Sequence, residues 1–414
     1  MKKTLLTFLA ATLFCGSVWA SGYQVLLQSN RSTAMGNIGV GLRPDPSSIN
    51  FNPGALAMMR ENGVQVGANL IYSGIAFQPF ESGEVYRTEN PVGTPFHVFA
   101  TFGGEESKLK FGLGVYTPYG STVIWEDDWA GRFNLTQLSL QAIFIQPTVS
   151  YRITEQLSLG VGFIYSFGGV NLQRDIQAVY LGGNDYGSAE LDGSASGFGY
   201  NLGLYFEPSE EFSLGINYRS RVNMKVENGT ATFVKSPLVP DSQIPSETGF
   251  TSELPLPSNL TIGFSYRPTE RFMVGADITR TGWNAYEALV FNYEDPVGGE
   301  TTTVAARNYE TSYAYRLGGE YAVSELFKLR AGAYYDQSPV QEGFLTPESP
   351  DANTLGLTAG FGLNIGEDFV VDASFLYINK EQRDNIANPE AGDLPLGTYK
   401  SVAVIPGLTL TYKF

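Results

Sequence analysis

The sequence predicts an all-β fold, closed into a transmembrane barrel of fourteen antiparallel strands, and three observations carry that reading. Apolar and polar residues alternate with period 2 over much of the chain, as in strands with one greasy face. Short turns alternate with long connections, the asymmetry of outer-membrane barrels. No apolar run after residue 20 reaches the length of a helical span, about 20 residues, while Gly accounts for 47 of 414 residues and aromatics for 13%.

The alternation is plainest at the C-terminus. Val402, Val404, Pro406, Leu408, Leu410, Tyr412 and Phe414 interleave with Ser401, Gly407, Thr409, Thr411 and Lys413. Val64 to Tyr72, Phe212 to Tyr218, Phe272 to Ile278 and Phe327 to Tyr335 repeat it. Candidate strands fall at 63–77, 95–102, 109–117, 138–153, 156–177, 194–206, 211–234, 250–267, 271–293, 307–322, 326–340, 353–365, 368–383 and 398–414. Many exceed the five or six residues usual in soluble strands. Thr154-Glu155-Gln156, Pro268-Thr269-Glu270 and Gly366-Glu367-Asp368 alternate with longer stretches at 178–193, 235–249, 294–306, 341–352 and 384–397. An even strand number lets the sheet close, removing edges that lipid cannot satisfy.

Lys2 and Lys3, the apolar stretch Leu5 to Phe14 and the ending Val18-Trp19-Ala20 predict a secretory signal peptide over 1–20, cut after Ala20. The cut removes the only cysteine, Cys15, and with it disulfide and thiolate chemistry. The net charge of −16 argues against nucleic acid, which selects a basic footprint. His97 is the only histidine, so most histidine-dependent hydrolases and zinc sites are excluded. No cofactor or metal is expected. An outer-membrane lipid-acting enzyme is the alternative class; it would need His97 of PFHVFATF as its base, and no serine-centred motif accompanies it.

Residues 21–60 break the pattern. SGYQVLLQSNRSTAMGNIGVGLRPDPSSINFNPGALAMM carries Pro46, Pro53 and a turn at Asn52-Pro53-Gly54, and with the later segments YRITEQLSLGVGFIYSFGGVNLQRDI, FGYNLGLYFEP, YAYRLGGEY, YYDQSPV and LTAGFGLNI, in that order, it resembles the FadL family of outer-membrane transporters for long-chain fatty acids and other hydrophobic compounds. The resemblance covers essentially the whole chain after residue 20. It implies that 21–60 is a hatch, a small plug entering the barrel from the periplasmic end, and that 61–414 is the barrel. The family's Asn-Pro-Ala stands here as Asn52-Pro53-Gly54, with Ala55 next. The physics agrees: a polar lumen of this size would otherwise stand open to water, and Ile49, Phe51, Leu56, Met58 and Met59 are too apolar for a disordered leader. The implied function is passive, hatch-gated transport of long-chain fatty acids or similar molecules across the outer membrane of a Gram-negative bacterium, with lateral release into the membrane; uptake of aromatic hydrocarbons is the alternative within the family. A porin has little use for such a plug or for inward aliphatics. The expected partners are the hydrophobic ligand, outer-membrane lipid and lipopolysaccharide, with the chain acting as a monomer.

Candidate site residues follow. In the strand at 156–177, Ile164, Val170, Leu172 and Arg174 share the parity of Ser158, Gly160, Gly162 and Ser166, so the lumen face carries aliphatics suited to an acyl chain or to contact with the plug. Asp372, Leu376, Ile378 and Lys380 share an inner parity later. Tyr23, near the start of the hatch, joins the ligand set. The resemblance places Arg174 at a basic position of the ligand-carboxylate site and Arg307 at a second; arginine's planar fork suits a carboxylate, and a lumen ion pair is the alternative. Arg307 shares parity with Tyr309, Tyr313 and Tyr315, which look outward, so it needs a bulge or a loop. Leu238, Val239 and Ile244 resemble a first docking surface in an outer loop. Finally, YTPYGSTVIW puts Pro118, which lacks a donor, beside Tyr119 and Gly120. Family barrels kink here and open a lateral hole; ordinary strand termination is the alternative. Pro147 removes another donor in the neighbouring strand. Asn52, Pro53 and Gly54 would gate that exit.

Overall fold

The computed structural model describes residues 22–104, 106–176 and 186–414; the expected signal peptide lies outside them. Fourteen antiparallel passes form one closed wall, several broken midway. They are β1 (Gly63–Asn69, continued by Tyr72–Pro79), β2 (Phe96–Phe102), β3 (Leu109–Ile124), β4 (Gln137–Arg152), β5 (Leu157–Ile176), β6 (Gly187–Ser209) and β7 (Phe212–Arg219 and Val222–Val234). The second half comprises β8 (Glu247–Leu256 and Asn259–Thr269), β9 (Phe272–Thr281 and Ala288–Val297), β10 (Glu300–Ala306 and Ser312–Ala322), β11 (Phe327–Asp336), β12 (Thr354–Ile365), β13 (Phe369–Lys380) and β14 (Gly397–Lys413). Each pass pairs with its neighbour, and β1 pairs with β14 from Gly63 opposite Lys413 to Asn69 opposite Gly407. Closure leaves that end of the wall no free edge.

The faces are reversed in space relative to a soluble sandwich. Val66, Phe163, Leu317 and Leu410 are each about half exposed, whereas Gln65, Ser166, Arg316 and Thr409, of the opposite parity on the same strands, are buried. Water would penalise so large an apolar surface; lipid accepts it. At the short-turn rim, Phe102, Phe111, Tyr151, Tyr266, Phe272 and Tyr412 face outward, a girdle of the interfacial type.

The expected strands hold with corrections: β3 runs on past 117 to Ile124, and β6 begins at Gly187, inside the expected connection 178–193. The stretch 294–306 is no loop: β9 and β10 extend into a hairpin that turns at Gly298 and Gly299, whose φ of 65° and 90° suits the tight turn that matches strand twist. The expected strand 307–322 is broken over 307–311, where Asn308 takes φ 45°. The break reverses parity, so Tyr309 is buried inside while Tyr313 and Tyr315 face out, whereas unbroken alternation predicts all three outward.

Residues 22–58 contain no barrel strand, only the short helices Asn30–Thr33 and Ser48–Phe51 and a 3-10 turn Pro53–Met58. Side chains from around the wall bind their backbone. Ser158 and Ser150 hydroxyls donate to the Gly54 carbonyl (2.7 and 2.9 Å), and Ser213 donates to the Gly41 carbonyl (2.7 Å). Asp277 accepts from Gly39 and Val40 N–H (2.7 and 3.2 Å), Thr358 accepts from Gly36 N–H (2.8 Å), and the Asn69 amide donates to the Leu27 carbonyl (3.0 Å). These bonds engage β4, β5, β7, β9, β12 and β1, so the segment sits inside the barrel. Two glycine seats let the backbones meet. A Cβ on Gly318 would lie 2.1 Å from the Met35 carbonyl oxygen, and one on Gly160 would lie 2.3 Å from that of Pro53.

An apolar chamber beside a kinked strand

The midway breaks build the chamber. β8 is interrupted at Pro257-Ser258, β9 at 282–287 and β10 at 307–311. Proline's missing donor favours such a break, and the freed carbonyls find partners: Pro255 accepts from the Tyr23 hydroxyl (3.0 Å) and Pro257 from that of Tyr119 (3.3 Å). The breaks also turn Trp283, Tyr286 and Tyr309 inward, where they meet Tyr23 of the inner segment. Ring centroids lie 4.9 Å apart for Tyr23 and Trp283 and 5.1 Å for Tyr286 and Tyr309, edge to face, the arrangement ring quadrupoles favour.

Above these rings lies an apolar cavity of about 80 Å3, lined by Tyr23, Tyr119, Leu138, Leu140, Ala142, Val170, Leu172, Met224, Leu254, Leu256, Leu289 and Phe291 among others. Arg307 and Glu348 complete it. Arg307 occupies the loop position that its parity required: its N–H and that of Asn308 both bond the Glu287 carbonyl (2.8 and 2.9 Å). Its Nη2 lies 2.6 Å from Glu348 Oε1, with 8% and 17% of the two side chains exposed.

β3 forms the other side. Tyr116 pairs with Phe144 but Tyr119 with Ala142, so Thr117-Pro118 bulges against one residue of β4, which bends a strand. β2 stays with β3 only up to His97 opposite Tyr116. Beyond that point the inner segment takes its place: Val25 N–H donates to the Pro118 carbonyl (2.8 Å) and Gly120 N–H to the Tyr23 carbonyl (3.3 Å). A second cavity of about 460 Å3 lies there between 71–75, 90–95 and 117–123. Tyr119, Ser121, Leu140, Gln141, Glu348 and Ser349 line both cavities.

Of the expected ligand residues, Tyr23, Val170, Leu172 and Arg307 therefore meet in one place. Ile164 is fully buried in the same apolar cluster but lies nearer the short-turn rim and off the lining. Val239 and Ile244 pack in an outer apolar cluster with Phe233, Phe250 and Phe291, which adjoins the chamber through Val170 and Leu289. Leu238 projects away, 92% exposed. Arg174, expected at a ligand carboxylate, does not line this chamber: β5 runs past the cavity after Leu172, and Arg174 stands exposed toward the outer rim. The gate residues separate. Tyr23 to Val25, not Asn52-Pro53-Gly54, touch the kink. Asn52 caps the 3-10 turn, donates to the Val40 and Leu204 carbonyls (both 2.9 Å) and, with Pro53 and Gly54, sits against β4 to β6. Pro147 is not across from the kink but opposite Leu113.

His97, the sole candidate base for an enzyme, is fully buried, its Nε2 3.0 Å from Thr409 Oγ1 and its ring stacked on Phe99. Among the described residues no group of three or more His, Cys, Asp or Glu is placed to hold a metal.

The family model described as "Outer membrane protein transport protein (OMPP1/FadL/TodX)" matches residues 11–414. The chain belongs to that family. As a FadL/TodX-family member it is an outer-membrane transport protein and not an enzyme. A putative outer membrane protein of Neisseria meningitidis is 27% identical over 100% of this chain and 99% of its own. The long-chain fatty acid transport protein of Escherichia coli O6:H1 is 21% identical, covering 92% and 93%. Among solved structures, a Pseudomonas aeruginosa FadL homologue superposes with a TM-score of 0.83 at 18% identity over 95% and 99% of the chains. The toluene transporter TodX of Pseudomonas putida gives 0.72 at 16% identity over 96% and 99%.

Proposed function

We propose that the chain carries long-chain fatty acids or similar hydrophobic molecules passively across the outer membrane, through the chamber and out beside the kink of β3. The observation that carries this is the apolar chamber, held between the inner segment and the wall and sharing Tyr119 and Glu348 with the cavity beside the stretch of β3 that β2 leaves. Burying a greasy molecule there gains roughly 25 cal/mol per Å2. A ligand crosses the outer cluster of Val239, Ile244 and Phe250, with Arg174 beside its path, and enters the chamber at Leu289. Release through the periplasmic end would put it in water, which its apolar surface opposes; the gap beside β3 offers lipid instead. The inner segment, 21–60, acts as the hatch that closes the periplasmic path. One chain closes its own barrel, which supports a monomer in outer-membrane lipid and lipopolysaccharide.

Filling the chamber tests the proposal. Ala142, 1% exposed, lines it. We expect Ala142→Phe to weaken binding of hydrophobic ligands by the purified barrel about tenfold or more, since overpacking costs about 1–3 kcal/mol, and to slow uptake in cells. Wild-type affinity in a folded variant would place the ligand elsewhere.

A further inference from the structure

We propose that Glu348 makes the chamber selective for uncharged ligands, such as hydrocarbons and long-chain alcohols, over carboxylates. This narrows the cargo proposed above, from fatty acids and similar hydrophobic molecules to the uncharged ones among them, and rests on the chamber reading. Among the described residues, Arg307 is the only cationic side chain in the lining. Its fork is already bound inside the chain, 2.6 Å from Glu348, and both partners are largely buried. The pair's charges cancel, so the cavity presents an incoming headgroup with no net positive charge.

A carboxylate entering such a site brings a third charge into an apolar enclosure. It must either push Glu348 off Arg307 or remain unpaired, and each course strands a buried anion. The cations nearby are engaged elsewhere. Arg383 binds the Val340 carbonyl at 2.7 Å, Lys380 binds Asp351 at 2.5 Å, and Arg219 binds Asn50. An uncharged ligand meets none of these penalties. A hydroxyl on it finds Ser121, Ser252 and Gln141 in the lining. Glu348 also lines the cavity beside the kink, so a departing ligand meets the same carboxylate again. Glu348 is thus a specificity residue, and the fork that would suit a fatty acid is occupied from within.

The test uses a matched pair, decanol and decanoate, at about pH 8, where the acid is ionised. Both are measured by calorimetry on the purified full-length wild type, on Glu348→Gln and on the double variant Arg307→Met/Glu348→Gln. Comparing affinity ratios between variants cancels the different partition of the two probes into detergent. Glu348→Gln frees the guanidinium, so the ratio should move toward decanoate by about tenfold or more, the scale of one hydrogen bond to a charged group. The double variant should lose that gain and keep decanol. A ratio unchanged by Glu348→Gln, or a wild type that prefers decanoate, overturns the role of Glu348 while leaving the chamber standing. If neither probe binds any form and Ala142→Phe changes nothing, the chamber reading falls and takes this inference with it.

Discussion

At the scale of single residues, the wall holds the inner segment with a few inward side chains and with glycines where none fits. Asp277 accepts two backbone N–H groups, from Gly39 and Val40. Hydrogen bonds to a charged acceptor contribute about 1.5–3 kcal/mol each. Asp277→Ala should therefore loosen the inner segment by about 3 kcal/mol or more, read as faster amide exchange at Gly39 and Val40 with the barrel amides unchanged; equal exchange in both proteins would contradict it. Gly318→Val tests the opposite kind of contact. Its first side-chain atom would meet the Met35 carbonyl oxygen at 2.1 Å, and backbone on both sides cannot yield cheaply. We expect a folded, heat-modifiable barrel whose inner segment is displaced, with higher ion conductance in planar bilayers than the wild type.

At the scale of elements, β3 is the strand on which transport turns. Its bulge at Thr117-Pro118 bends it away from β2, and residues 23–25 occupy the edge so exposed. Replacing Pro118 and Gly120 together with valine restores the missing donor and favours regular strand. The straightened strand should abolish uptake while ligand binding by the purified protein falls far less, because β4 to β10 supply most of the chamber lining and β3 only Tyr119 and Ser121. Both quantities are measured on the same double variant. Uptake at the wild-type rate with a strand shown to be straight would mean that ligand leaves by another path. The breaks in β9 and β10 act in the other direction, since they turn Trp283, Tyr286, Arg307 and Tyr309 into the lumen.

At the scale of the whole molecule, the polar lumen and the inner segment depend on each other. Gln146, Asn201, Arg219 and Asp277 are buried because the segment covers them; Gln146 donates to the Ile49 carbonyl (2.6 Å) and Arg219 to that of Asn50 (2.9 Å). Burying such groups is tolerable only with partners. Deleting residues 22–58 returns them to water, which solvates them, while closure through β1 and β14 remains. The deletion should therefore leave a barrel that inserts and conducts ions like an open pore, severalfold above the wild type in single-channel recordings. Failure of the deleted chain to form a heat-modifiable barrel would show that the segment is needed for folding as well as for closure.

The sequence by itself determined the barrel. Strict alternation in stretches such as Val402 to Phe414 sets which side chain faces lipid, because a pleated strand has a period of 2, and the turn–loop asymmetry sets the strand count. It also marked Val170 and Leu172 as inward aliphatics, and it showed that Arg307 needed a break in its strand. Tertiary structure alone decided the rest. Tyr309 and Arg307 face inward because Asn308 breaks the ladder, and parity cannot be carried across a break. Arg174 shares the inner parity yet misses the chamber, because parity gives a face and not a height along the barrel. The partner of Arg307 comes from Glu348, in a connection with no periodicity to read. The edge of β3 is met by Tyr23 to Val25 because the chain folds back inside its own wall, a contact between positions about a hundred apart that local pattern does not encode.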